Sequence, residues 1–129
     1  MILLICDDSQ INIDLVLFLV ELFEKKYNIE FEKDTRLSGD FILTEKNSYD
    51  IAIVDVEMPG ISGIELAKTI RAQNETAVIV FNTGYSDYIA EGYDVAVAFA
   101  TTQSEVRLHE LLNALWVAGG RHYPELLML

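Results

Sequence analysis

Three aspartates and one threonine follow short apolar runs of the chain, and their side chains could together bind a metal ion and a phosphate. They are Asp7, Asp8, Asp55 and Thr83. Three carboxylates that share one site raise one another's pKa, so they cannot all stay ionised unless a cation neutralises them. Hard oxygen ligands without a neighbouring histidine favour Mg²⁺, which also takes water and phosphate oxygens. These residues therefore predict a magnesium site at which a phosphate is the remaining ligand.

The four residues can meet only if the apolar runs before them are strands of one parallel sheet. A continuous apolar run that ends at an acid is typical of a strand buried on both faces. Ligands of an open parallel sheet bind beyond the carboxyl ends of its strands, where the strand order reverses. Strands that alternate with helices predict an α/β fold with right-handed crossovers. The predicted strands are Ile2–Cys6, Ile29–Glu32, Ile51–Val54, Val78–Phe81 and Val95–Phe99.

Apolar residues at three-to-four spacing predict the helices between these strands. Ser9 is the expected N-cap of the first helix. Its apolar residues are expected to face the core; they are Ile11, Leu15, Phe18, Leu19 and Leu22. Further helices are predicted over residues 37–46, 64–71 and 85–93, and from Ser104 to Trp116. The last helix is apolar over more than one face, so we expect it to form a homodimer or to contact a C-terminal output domain.

Length and composition restrict the function further. The length of 129 residues predicts one domain. Gly119-Gly120 ends the last predicted helix, so the domain is expected over 1–117 and a tail or linker over 118–129. The net charge of −12 disfavours direct binding to nucleic acid or to an anionic membrane. The single cysteine, Cys6, excludes an internal disulfide and favours a reducing cytoplasm. No segment has the features of a signal peptide or membrane anchor.

Three segments together resemble the receiver domains of two-component response regulators: Cys6-Asp7-Asp8, the stretch from Val54 to Gly63 with its Met58-Pro59-Gly60 motif, and Phe81 to Gly84. The sequences Glu57-Met58 and Thr83-Gly84-Tyr85 are similar to those of receivers that precede LytTR-type DNA-binding domains. The resemblance implies a flavodoxin-like (CheY-like), doubly wound sheet of five parallel strands in the order 2-1-3-4-5, with helices on both faces.

The resemblance also implies a role for each site residue. Asp55 is the implied phosphoacceptor, which receives its phosphoryl group from a sensor histidine kinase. Asp7, Asp8, Asp55 and the backbone carbonyl of Glu57 are the implied Mg²⁺ ligands. Thr83 is the implied switch residue, whose hydroxyl donates a hydrogen bond to the phosphoryl oxygen.

Two positions depart from the family pattern. Gln103 stands where the family has a lysine, and Ala100 stands where it often has an aromatic residue. A degenerate receiver that acts by protein contact alone is therefore an alternative. A small phosphohydrolase with Asp55 as nucleophile is a weaker one, because Glu57 occupies the place of the expected acid. We expect a signalling domain rather than a turnover enzyme.

Overall fold

The computed structural model describes residues 1–82 and 98–100, which contain a parallel β-sheet. Its strands are β1 (Ile2–Cys6), β2 (Glu32–Arg36), β3 (Ile51–Val54), β4 (Val78–Asn82) and β5 (Ala98–Ala100). They are ordered β2-β1-β3-β4-β5, and every neighbouring pair is parallel. The prediction of an α/β fold with a parallel sheet is confirmed.

Two helices and one short turn connect the strands of the described region. They are α1 (Gln10–Tyr27), the 3₁₀ turn (Asp40–Leu43) and α2 (Gly63–Gln73). The hydroxyl of Ser9 accepts a hydrogen bond from the backbone N–H of Asn12, which confirms the predicted N-cap. Ser62 caps α2 in the same way through the N–H of Glu65. Both caps lie close to the carboxyl ends of the strands that precede the helices.

The core has two halves, one on each face of the sheet. Alternate residues of β1 face opposite sides, so Leu3 packs with α1 while Leu4 packs with α2. The α1 half includes Val20 and Phe23, and the α2 half includes Leu66 and Ile70. Each helix therefore covers a different face of the sheet.

The predicted core face of the first helix is wrong at four of its five residues; the fifth, Leu19, is partly buried and packs against the core. Four residues of that face are between 45% and 73% exposed: Ile11, Leu15, Phe18 and Leu22. The buried residues are instead Ile13, Val16, Val20 and Phe23. Both sets have helical spacing, so the periodicity identifies a helix but not the face that it buries.

The second strand and the helix after it also differ from their predicted positions. Residues 29–31 do not form the strand, because Glu24 holds them in a turn: its backbone carbonyl accepts from the N–H of Ile29, and its carboxylate accepts from that of Phe31 at 2.8 Å. The strand begins at Glu32 and is largely polar, as an edge strand can be. The helix predicted over 37–46 is reduced to the 3₁₀ turn.

Several predicted features lie outside the described residues. They are the helices over 85–93 and from Ser104, the tail over 118–129, and the residues Thr83 and Gln103. β5 overlaps the last predicted strand at Ala98 and Phe99. Within the described segments, no helix combines the length and hydropathy needed to cross a lipid bilayer.

Candidate metal and acceptor site

Strand pairing brings the three aspartates together at one edge of the sheet. Cys6 and Val54 are register partners at the carboxyl ends of β1 and β3, and the N–H of Asp55 donates to the carbonyl of Cys6 at 2.9 Å. One carboxylate oxygen from each of Asp7, Asp8 and Asp55 lies within 4.8 Å of the others. The chain thus places acids that are about fifty residues apart in sequence around one point.

Asp7 is the buried member of this cluster, with 2% of its surface exposed. Its Oδ1 accepts hydrogen bonds from the backbone N–H of Ser9 at 2.9 Å and from the side-chain amide of Asn12 at 3.5 Å. Its Oδ2 is buried and has no hydrogen-bond partner in the part of the chain that the structure describes. A buried carboxylate oxygen without a donor is unfavourable, and a bound cation would satisfy it.

The electrostatics of the cluster also favour a cation. Burial, together with the charges of Asp7 and Asp8, raises the pKa of Asp55 to about 7. The backbone N–H groups of Glu57 and Val56 oppose this rise because they donate to the Asp55 carboxylate. Burial likewise raises the pKa of Asp7. A divalent cation would favour the ionised form of all three groups, and their hard oxygen atoms suit Mg²⁺.

The loop from β3 to α2 forms one wall of the site. It is closed at its base, because the N–H of Gly63 donates to the carbonyl of Val56 at 2.9 Å. A Cβ atom at position 63 would overlap the backbone carbonyl of Asp55, so only glycine allows this approach. Glu57 is exposed on the loop, two residues after Asp55.

An open groove of about 580 Å³ lies beside the cluster. Its lining consists of Asp8, Val56, Glu57, Met58, Pro59, Ser62, Ile64, Glu65 and Lys68. Of the three aspartates, Asp8 lines this groove, so the groove reaches the edge of the cluster from solvent.

Some residues that contact or lie next to the cluster were not singled out as site residues by the sequence. The Cys6 thiol donates to the Met58 thioether at 3.7 Å, and burial raises the pKa of that thiol to about 12. Cys6 is thus a core residue rather than a nucleophile. Asn12 was also missed, although its place on the first turn of a helix that follows Asp7 is a signal that sequence reasoning could have used. Thr83 and Gln103 lie outside the described residues, so their predicted roles stay predictions.

The family model described as the response regulator receiver domain matches residues 3–113. The chain belongs to this family. The family model recognises the sequence, and the solved structures described next match the fold, so the family assignment does not depend on the geometry of the aspartates.

Individual relatives agree with this assignment. Response regulator ArlR of Staphylococcus aureus (strain Mu50 / ATCC 700699) is 29% identical, over 81% of this chain and 52% of ArlR. The receiver domain thus spans about half the length of that relative. The response regulator TrrA of Thermotoga maritima, solved in complex with Mg²⁺ and BeF, is 31% identical over 81% of this chain and 90% of TrrA, with a TM-score of 0.58. The response regulatory domain of mrkE from Klebsiella pneumoniae has a TM-score of 0.78 at 17% identity, covers 94% of this chain, and shows the fold alone.

Proposed function

We propose that this receiver domain accepts a phosphoryl group on Asp55 in a Mg²⁺-dependent reaction, with the phosphohistidine of a sensor kinase as the donor. One observation carries the proposal: Asp7, Asp8 and Asp55 place carboxylate oxygens within 4.8 Å of one another, and the buried Oδ2 of Asp7 has no partner among the described residues. TrrA, which was solved in complex with Mg²⁺ and BeF, is a relative that binds this metal, and this supports the proposal.

Each residue has a distinct part in this proposal. A carboxylate oxygen of Asp55 attacks phosphorus, the bond from phosphorus to the histidine nitrogen breaks, and an acyl phosphate forms on Asp55. Asp7 is held by Ser9 and Asn12, so its free oxygen is already oriented before a metal binds. Asp7, Asp8, Asp55 and the backbone carbonyl of Glu57 would hold Mg²⁺. The metal, when bound, offsets the negative charge that gathers between the carboxylate and the phosphoryl oxygens.

The finer parts of the assignment are inferred from the family. We infer that the complete domain is a doubly wound five-stranded sheet and that Thr83 donates a hydrogen bond to the phosphoryl group. Because the chain spans about half of ArlR, we propose that a C-terminal output domain completes the protein. A LytTR-type output, a homodimer through the last helix and a cytoplasmic location stay predictions.

The experiment that tests phosphorylation is intact mass spectrometry after incubation with Mg²⁺ and a small-molecule phosphodonor. We expect a mass gain of one phosphoryl group that disappears in Asp55→Asn and when a chelator removes the metal. Asp50→Asn is the matched control, because Asp50 lies at the opposite end of β3 and its carboxylate accepts a hydrogen bond from Ile2 instead. A gain that persists in Asp55→Asn would contradict the assignment of the acceptor.

Gln103 supports the alternative of a degenerate receiver, since it lacks the positive charge of the family lysine. If the wild type gains no mass but Gln103→Lys does, the natural chain acts by protein contact alone. If both gain mass, we expect the lysine variant to hold its phosphoryl group longer. Continuous release of inorganic phosphate from excess donor, with little of the modified species accumulating, would favour a phosphohydrolase.

A further inference from the structure

The loop from β3 to α2, residues 56–62, is fastened at two points. The first is its base, where Gly63 bonds to Val56. The second is its tip, where the backbone N–H of Ile61 donates to Oδ1 of Asp40 at 3.1 Å. Asp40 is the first residue of the 3₁₀ turn, which is twenty-one residues earlier in the chain. The tip of the loop is therefore held by a separate segment of the fold.

The 3₁₀ turn and the loop tip approach each other closely at two glycines. Gly60 has a φ of +79°, and a Cβ atom there would lie 2.6 Å from Oδ1 of Asp40. A Cβ atom at Gly39 would lie 3.4 Å from the carbonyl oxygen of Ile61. The Asp40 carboxylate thus occupies the space that a side chain at position 60 would need.

The 3₁₀ turn also contacts the end of β2, which lies beside Asp7 of the proposed metal site. The Arg36 guanidinium pairs with Glu45, just after the turn, at 2.6 Å and lies 4.4 Å from the ring centroid of Phe41. The carbonyl of Arg36 accepts the backbone N–H of Asp7 at 3.1 Å. The segment over residues 36–45 therefore contacts both the end of β1, next to Asp7, and the loop that carries Glu57.

We propose that Asp40 is a positioning residue for the metal site. Its carboxylate holds the tip of the loop, so that the Glu57 carbonyl stays in a fixed place relative to Asp55 before a metal binds. In the absence of this contact the base of the loop stays closed, but the tip is free to move, and metal binding must then order it. The inference rests on the proposed Mg²⁺ site and deepens it.

A positioning role can be separated from a simple charge effect. Asp40→Asn removes the negative charge but keeps a side-chain oxygen that can accept from Ile61. Asp40→Ala removes both the charge and the acceptor. If Asp40 acts only by attracting the cation, the two variants weaken Mg²⁺ binding equally. If it acts by holding the loop, the asparagine variant stays close to the wild type.

The test is Mg²⁺ titration by calorimetry, together with amide hydrogen exchange of residues 60–62 measured without metal. We expect Asp40→Ala to weaken Mg²⁺ binding about fivefold, the factor that corresponds to one exposed hydrogen bond of about 1 kcal/mol. We expect Asp40→Asn to bind within about twofold of the wild type. The Ile61 amide should exchange faster in Asp40→Ala but not in Asp40→Asn. Asp14→Ala is the control for loss of a surface carboxylate, since Asp14 accepts an exposed hydrogen bond from Gln10 on the same helix.

Two results would overturn the inference: equal weakening in the alanine and asparagine variants, or unchanged Mg²⁺ binding and Ile61 exchange in Asp40→Ala. A wild-type chain that binds no Mg²⁺ would overturn the proposed metal site, and the positioning of a metal ligand with it. Amide exchange needs no metal, so it still decides in that case whether Asp40 holds the loop.

Discussion

Replacing Asp55 by asparagine should stabilise the metal-free protein. Burial, together with the charges of Asp7 and Asp8, raises the pKa of Asp55 from 3.8 to about 7. The ionised form of Asp55 therefore destabilises the folded state. Since one pKa unit is worth about 1.4 kcal/mol, this rise would correspond to roughly 4 kcal/mol if the group were fully desolvated. Asp55 is partly exposed, and solvent screening reduces the expected gain to roughly 1–2 kcal/mol.

The pH dependence follows from the sign of the change. A carboxyl group whose pKa is raised in the folded state holds its proton more tightly when folded, so stability falls as pH rises from about 4 to about 7. Above about pH 7 both states are ionised and the destabilisation is complete. The advantage of Asp55→Asn should therefore be largest at pH 8 and smaller at pH 5.

Urea denaturation at these two pH values, with and without Mg²⁺, measures the effect. A hundredfold excess of Mg²⁺ over its Kd should stabilise the wild type by about 2.7 kcal/mol. The variant should gain much less, because it lacks one of the three carboxylates. Asp50→Asn is again the control. It should be no more stable than the wild type without Mg²⁺, and it should gain the same stabilisation from Mg²⁺ as the wild type. The electrostatic reasoning is refuted if Asp55→Asn is no more stable than the wild type at pH 8, or if its advantage is the same at pH 5.

Four further substitutions test the packing. Phe23→Ala should lower the free energy of unfolding by about 3–5 kcal/mol because the ring is buried, whereas Phe18→Ala on the exposed face of α1 should change it by less than about 1 kcal/mol; urea denaturation compares the two. Tyr49→Phe should cost about 1–2 kcal/mol in the same assay, because its hydroxyl donates to Asp34 at 2.6 Å. Gly63→Ala should prevent folding, since the added methyl group would overlap the backbone carbonyl of Asp55. Circular dichroism would detect the loss of structure.

The sequence was informative where one physical requirement dominates. A buried strand must be apolar throughout and must end where the chain becomes polar, so Ile2–Cys6 and Ile51–Val54 could be located from residue types alone. The residues after these strands then had to lie at one edge of a parallel sheet. The convergence of Asp7, Asp8 and Asp55 could be inferred for the same reason.

The sequence was misleading where two arrangements satisfy the same local pattern. α1 carries apolar residues on two faces, and only tertiary packing decides that Phe23 is buried and Phe18 exposed. Ile29 and Phe31 alternate like a strand, yet the carboxylate and carbonyl of Glu24 hold them in a turn. The contact between Asp40 and Ile61 depends on a long-range approach of two turns, for which no local pattern exists.

The polar character of β2 has a consequence for self-association. Among the strands that the structure describes, none lies on the outer side of β2, so its backbone groups on that side could pair with another molecule. Glu32, Lys33, Asp34 and Arg36 put charges of both signs along it, and the short strand ends after five residues. A second copy would have to desolvate these charges to extend the sheet, which makes fibre-like stacking through this edge unfavourable.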